Sequence, residues 1–195
     1  MLAYLNGKLT FKSAAQIYVD VNGVGYEVNI SLNTYSEIEK LEVVKLYTYL
    51  QIKEDAHTIY GFFEKQEKDM FVLLISVSGI GAATARMMLS SLKPDEVASA
   101  IASNNVRLIE SVKGIGKKTA ERLVLELKDK VGIKNEAGNQ TWDRGVNSME
   151  RDATNALFAL GIAQKQAEIS VKKILTAEPN ITKLEDLIKK ALKAI

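Results

Sequence analysis

Two glycine bends are the part of this chain best suited to chemistry. Gly79-Ile80-Gly81 and Gly114-Ile115-Gly116 stand 35 residues apart, inside LLISVSGIGAATA (73–85) and LIESVKGIGKKTA (108–120), which agree at eight positions. Glycine permits positive φ and removes the side chain that would hold a phosphate off the backbone. The isoleucine between each pair can plug into a core and fix the bend. Amide N–H groups of the bend, and of the helix it opens, then face outward at the positive end of a helix dipole. That is anion-binding chemistry, and a matched pair suits the repeating charge of a nucleic-acid backbone.

Cations follow the second bend closely. Lys117, Lys118 and Arg122 lie just after it and Lys113 just before, with Glu121 the one acid among them. The first bend has Ala82-Ala83 in the corresponding places, leaving Arg86 as its nearest cation. The second bend should therefore grip harder. A lone Gly-x-Gly ends one helix and starts another as readily as it binds an anion; the repetition and the basic residues favour binding. Gly116-Lys117-Lys118-Thr119 is not a phosphate loop of the ATPase kind. The earlier glycine that loop requires is Ser111 here, and the residue after its first lysine is neither Ser nor Thr.

Lys53-Glu54-Asp55 falls between two strand candidates. A solvated turn is the ordinary reading. The sharper one is a negative pin in Glu54 and Asp55 that repels phosphates and holds strands apart, with Lys53 touching one backbone. No carboxylate pair has the spacing of a metal or glycosidase site. His57 is the only histidine and cysteine is absent, so multi-histidine sites, thiolate metal sites and disulfides are excluded. We expect no catalytic residue, metal or cofactor.

The elements that must position these bends fall into three regions of a 195-residue chain. Residues 1–63 read as five strands: Leu2–Phe11, Gln16–Val21, Gly25–Ile30, Val43–Ile52 and Thr58–Phe63. Asn22-Gly23 supplies a hairpin turn and Ser36-x-x-Glu39 the form of a capping box. Five strands in so short a span suggest a small closed barrel of the OB type, although an open sheet has the same count. From 64 to 131 the period becomes helical, with Met70, Phe71, Leu74 and Ile75 on one stripe, Pro94 at a helix start and Lys117–Val131 as the last helix. Residues 132–148 are polar and read as a mobile linker carrying Trp142; residues 149–195 read as a three-helix bundle over Ala153–Leu160, Gln164–Leu175 and Ile181–Ile195, the last capped by Thr182-x-x-Glu185. The fold class is thus α+β and multidomain.

Charge is distributed rather than massed. Residues 1–63 hold five lysines against seven acids; the other two regions each carry a net +2. DNA binding must then come from focused contacts or several copies acting together. No apolar run approaches the ~18 residues of a membrane span. The start MLAYLNGKLT lacks the form of a signal peptide, and Asn139-Gln140-Thr141 without one reads as an accidental glycosylation match.

Taken together, the barrel with KEDAHTIYGF (53–62), the paired bends with GIGKKTAERL (114–123), the polar linker and the bundle opening NALFALG (155–161) resemble the RuvA family over essentially the whole chain. The resemblance implies a bacterial, cytoplasmic homotetramer that holds four-way (Holliday) junction DNA, and it leaves open an octamer. It implies phosphate contacts by Gly79, Gly81, Gly114, Gly116, Lys117, Lys118 and Arg122, an acidic pin at Glu54 and Asp55, and a C-terminal bundle that recruits the ATP-driven motor RuvB. The RuvC resolvase is a further partner it allows. Ala82-Ala83 departs from the family pattern, which often carries a basic residue there. Two other readings compete: a general duplex-binding repair accessory without junction selectivity, and a nuclease. The acidic barrel disfavours the first, and the lack of clustered acids for Mg²⁺ disfavours the second.

Overall fold

A computed structural model describes residues 2–138, 146–178 and 181–194. The chain divides into two compact units, Met1–Asn139 and Gln140–Ile195. In the first, β1 (Tyr4–Lys12), β2 (Gln16–Val21), β3 (Val24–Ile30), β4 (Val43–Ile52) and β5 (His57–Phe62) close into a barrel in the order β1-β2-β3-β5-β4. Closure comes from a parallel pairing of β3 with β5, Val28 opposite Ile59, and an antiparallel pairing of β1 with β4, Leu5 opposite Leu46. This is the barrel rather than the open sheet. Alternation decides which residues face in: on β2, Ile17 and Val19 are buried while Tyr18 between them is exposed. Asn22 and Gly23 both take positive φ (54° and 86°), as a tight hairpin turn of this hand requires.

Helix α1 (Leu32–Ile38) corrects the expected capping box. Ser31, not Ser36, is the N-cap; its hydroxyl accepts the Thr34 N–H at 3.0 Å. Ser36 lies inside the helix, where its hydroxyl donates to the Asn33 carbonyl, and Glu39 is the C-cap. The earlier start places Ile38 in the barrel core.

Five helices follow: α2 (Lys65–Ile75), α3 (Ala82–Ser91), α4 (Pro94–Ala102), α5 (Val106–Glu110) and α6 (Lys117–Gly138). Pro94 occupies the first turn of α4 with Asp95 and Glu96, and Glu96 accepts the Lys93 N–H at 2.7 Å. Their core joins Phe71 and Leu74 of α2 to Leu89, Ile101, Leu123 and Leu127, and it takes in Tyr60 and Phe62 from the outer side of β5. Helix α6 runs through residue 138, into the stretch expected as linker from 132. Lys134, Glu136 and Ala137 in that stretch are strong helix formers, whereas Gly132 costs ~1 kcal/mol. Trp142 and the Asn139-Gln140-Thr141 match lie outside the described residues.

The second unit holds α7 (Val146–Ala159), α8 (Gln164–Ala177) and α9 (Leu184–Lys193). Each contributes two fully buried residues: Ala153 and Leu157, Ala167 and Val171, Leu187 and Ala191. The expected Thr182 cap is not used. Lys183 is the N-cap of α9, with no side-chain cap bond, and Glu185 and Asp186 in the first turn complement the helix dipole instead. Among the described residues no helix is long and apolar enough to cross a membrane.

One buried acid joins barrel to helices. Glu67 of α2 is 4% exposed and accepts the hydroxyls of Ser31 and Thr34, the latter at 2.7 Å. Each hydroxyl in turn accepts a backbone N–H, from Thr34 and Phe63 respectively. Burial pushes the Glu67 carboxyl above its ordinary value, the two hydroxyl bonds pull it back in part, and Glu64 adds a further push upward. A carboxyl whose pKa is raised by folding gives stability that is complete below the unfolded value and lost as pH rises through the folded one. Thermal unfolding followed from pH 4 upward should therefore show a fall in melting temperature that Glu67→Gln lacks; parallel curves for the two proteins would contradict it.

Candidate nucleic-acid interface

The two bends are built alike down to individual hydrogen bonds. In the first, the Ser76 hydroxyl donates to Leu73 O at 2.7 Å, the Val77 N–H to Leu74 O at 3.1 Å and the Ile80 N–H to Val77 O at 3.1 Å. In the second, Ser111 donates to Leu108 O at 2.7 Å, Val112 to Ile109 O at 3.2 Å and Ile115 to Val112 O at 3.1 Å. Ile80 and Ile115 are both buried, as plugs must be. Gly81 O and Gly116 O accept the first helical bonds of α3 and α6, from Ala85 and Ala120.

The four glycines are glycine for two different reasons. Gly79 and Gly114 have φ of 93° and 91°, where any side chain is strained. Gly81 is extended, at φ −85° and ψ 167°, a conformation open to any residue. A Cβ built on Gly81 or on Gly116 meets nothing of the chain within 4 Å. Nothing inside the described protein thus forbids a side chain at these two positions. A bare backbone there leaves room for a group arriving from outside.

The bends also lie against one another. A Cβ on Gly79 would come within 3.9 Å of the Thr119 side chain, in the first turn of α6. Arg122 donates from Nη1 to Ser78 O at 3.3 Å, so the second helix reaches across to the first bend. Gly79, Gly81, Gly114, Gly116, Lys117, Lys118 and Arg122 are all exposed. Where Lys117 is exposed, its counterpart Ala82 is 4% exposed and packed in the core; Ala83, opposite Lys118, is exposed. The alanine departure at 82 therefore has a packing cause.

Arg86 does not stand with them. Its Nη1 donates to Ala15 O at 3.0 Å and to Asn29 Oδ1 at 2.8 Å, both on the barrel. Its charge is felt at Tyr60, whose hydroxyl pKa is raised by burial and partly lowered by Arg86. Lys53, Glu54 and Asp55 are exposed at the tip of the β4–β5 hairpin, where the Lys53 N–H bonds Ala56 O at 2.9 Å. No group of three potential metal ligands occurs among the described residues. The sequence reading missed Glu67, although it shares the stripe of Met70, Phe71 and Leu74. A charged residue on an apolar stripe was the available signal.

Alanine should separate the two kinds of glycine. Gly79→Ala or Gly114→Ala should destabilise the fold by about 1–2 kcal/mol through left-handed strain. Gly81→Ala or Gly116→Ala should stay within about 0.5 kcal/mol of the parent in urea unfolding. These two should nonetheless weaken DNA binding about tenfold. Unaltered binding by both would remove the bends from the interface.

Comparison with known proteins follows the same division of the chain. Family models described as RuvA N terminal domain, SAM-like Helix-hairpin-helix tandem and RuvA C-terminal domain match residues 1–61, 71–129 and 148–195. A relative from Christiangramia forsetii is 50% identical over the whole of both chains. Relatives from Flavobacterium psychrophilum and Cytophaga hutchinsonii are 49% and 47% identical, each alignment covering 99% of both chains. All three bear the name Holliday junction branch migration complex subunit RuvA. Similarity of this degree, end to end and in all three parts, makes the chain a member of the RuvA family.

Proposed function

We propose that the chain is the non-catalytic, junction-binding subunit of a branch-migration complex. It holds a four-way DNA junction and presents it to an ATP-driven motor of the RuvB kind. The observation that carries this is the pair of matched bends, with open space over Gly81 and Gly116 and with Lys117 and Lys118 exposed beside the second. Backbone N–H groups at two adjacent helix starts suit two phosphates of one duplex arm. Such contacts read no base sequence, which fits a protein that recognises DNA shape.

A single chain offers one such grip and one acidic turn. Four arms call for four copies, so the reading includes a homotetramer with its barrels at the centre and Glu54 and Asp55 at the crossover. There the acids repel phosphates and keep the strands parted, with Lys53 beside them touching a backbone. Pairing of two tetramers around the DNA, and contact with a RuvC-type resolvase, are further assemblies it admits. The second unit supports the motor contact: Phe158, Leu160 and Ile169 are 61%, 63% and 60% exposed, on or just beyond α7 and on α8. Large apolar residues left out in a bundle of this size suit a protein partner better than water.

Competition between a synthetic four-way junction and linear duplex of equal length tests the proposal. Strong preference for the junction is expected, and equal affinity would leave only a general duplex-binding role. Lys117→Ala with Lys118→Ala should weaken binding and reduce the log–log salt slope by roughly 0.9 per lost phosphate contact. Phe158→Ala with Ile169→Ala should leave junction binding intact and abolish stimulation of the motor's ATPase; full stimulation would move the motor contact elsewhere.

A further inference from the structure

The six residues Asn29–Thr34, running from the end of β3 into α1, bind the helices with all four of their polar side chains and one backbone N–H. Asn29 accepts from Arg86 at 2.8 Å. Ser31 and Thr34 donate to Glu67. The Leu32 N–H donates to the Ser90 hydroxyl at 3.1 Å, and Asn33 Nδ2 donates to the carbonyls of Leu89 at 2.5 Å and Leu92 at 3.1 Å. Helix α3, which the first bend opens, is thus fastened to β3 and α1 over its second half, at Arg86, Leu89 and Ser90, and at its C-cap Leu92.

From this we propose that Arg86 is a positioning residue that sets junction selectivity, not a ligand of phosphate. The inference rests on the function proposed above and deepens it. The bends alone grip any duplex, because duplex phosphates are the same everywhere. Selectivity must come from repulsion at the acidic turn, and repulsion discriminates only if the turn cannot move away from the DNA that the bends hold. Barrel and bends must therefore keep a fixed separation. Arg86 is the one cation in this strap, and both of its side-chain hydrogen bonds go to the barrel, at Ala15 and Asn29. With that anchor gone, α3 keeps only the Leu32 and Asn33 bonds of the strap, and a small tilt of the barrel on α3 brings junction and duplex closer to equal for the bends.

Two substitutions separate this from a phosphate contact. Arg86→Met removes the charge and both bonds; Asn29→Ala removes one acceptor and leaves the charge in place. Competition binding of the full-length protein to junction and duplex, repeated across a salt series, should show the junction-to-duplex preference falling about tenfold in both variants. The salt slope for the junction should stay that of the parent, and Arg86→Lys should keep most of the preference. A slope reduced by about 0.9 in Arg86→Met, with Asn29→Ala binding like the parent, would make Arg86 a phosphate ligand and overturn the inference. So would an unchanged preference in both variants. If Arg86→Met does not fold, Asn29→Ala decides alone. A parent protein without junction preference would instead remove the function on which the inference stands.

Discussion

An amide N–H reaches an outside acceptor most readily where no Cβ stands in the way, and both bends of the first unit meet that constraint. Each bend needs a left-handed first glycine to turn the chain and an unobstructed second glycine to begin the next helix. Each also needs a buried isoleucine, Ile80 or Ile115, so that the turn is held from beneath rather than from its exposed face. The core of the helices is what receives those plugs. Packing therefore lies behind the bends and leaves their glycine faces open to solvent.

The equivalence of the bends is structural and not electrostatic. Their hydrogen bonds match pairwise, yet their cations do not. Ala82 is closed off by packing, and Arg86 faces the barrel. The Arg122 bond to the Ser78 carbonyl narrows the difference, since it brings a guanidinium from the second repeat to the first bend. The two copies of the motif differ in their side chains and share their backbone.

Much of this was legible in the sequence because short-range rules govern it. Alternation in Gln16–Val21, the Asn22-Gly23 turn, Pro94 at a helix start and the internal repeat all declare themselves within a few residues. What stayed hidden depends on distant partners. Ser36-x-x-Glu39 has the local form of a cap, yet Ser31 is the N-cap, and its hydroxyl also bonds Glu67, 36 residues away. Arg86 reads in the sequence as the nearest cation to the first bend, and nothing local shows that Asn29, 57 residues earlier, accepts its side chain. Thr182 looks like a cap, and α9 starts too late to use it. Local pattern finds an element, but long-range hydrogen bonding decides which way its polar residues point.

The closed barrel has a consequence for self-association. A sheet with a free edge can recruit another copy by adding a strand, with backbone bonds that scarcely depend on side chains. Here β3 meets β5 and β1 meets β4, so the strand ladder returns on itself. Copies of this chain that meet where the ladder is closed do so by side-chain complementarity, an association that single substitutions and ionic strength can tune.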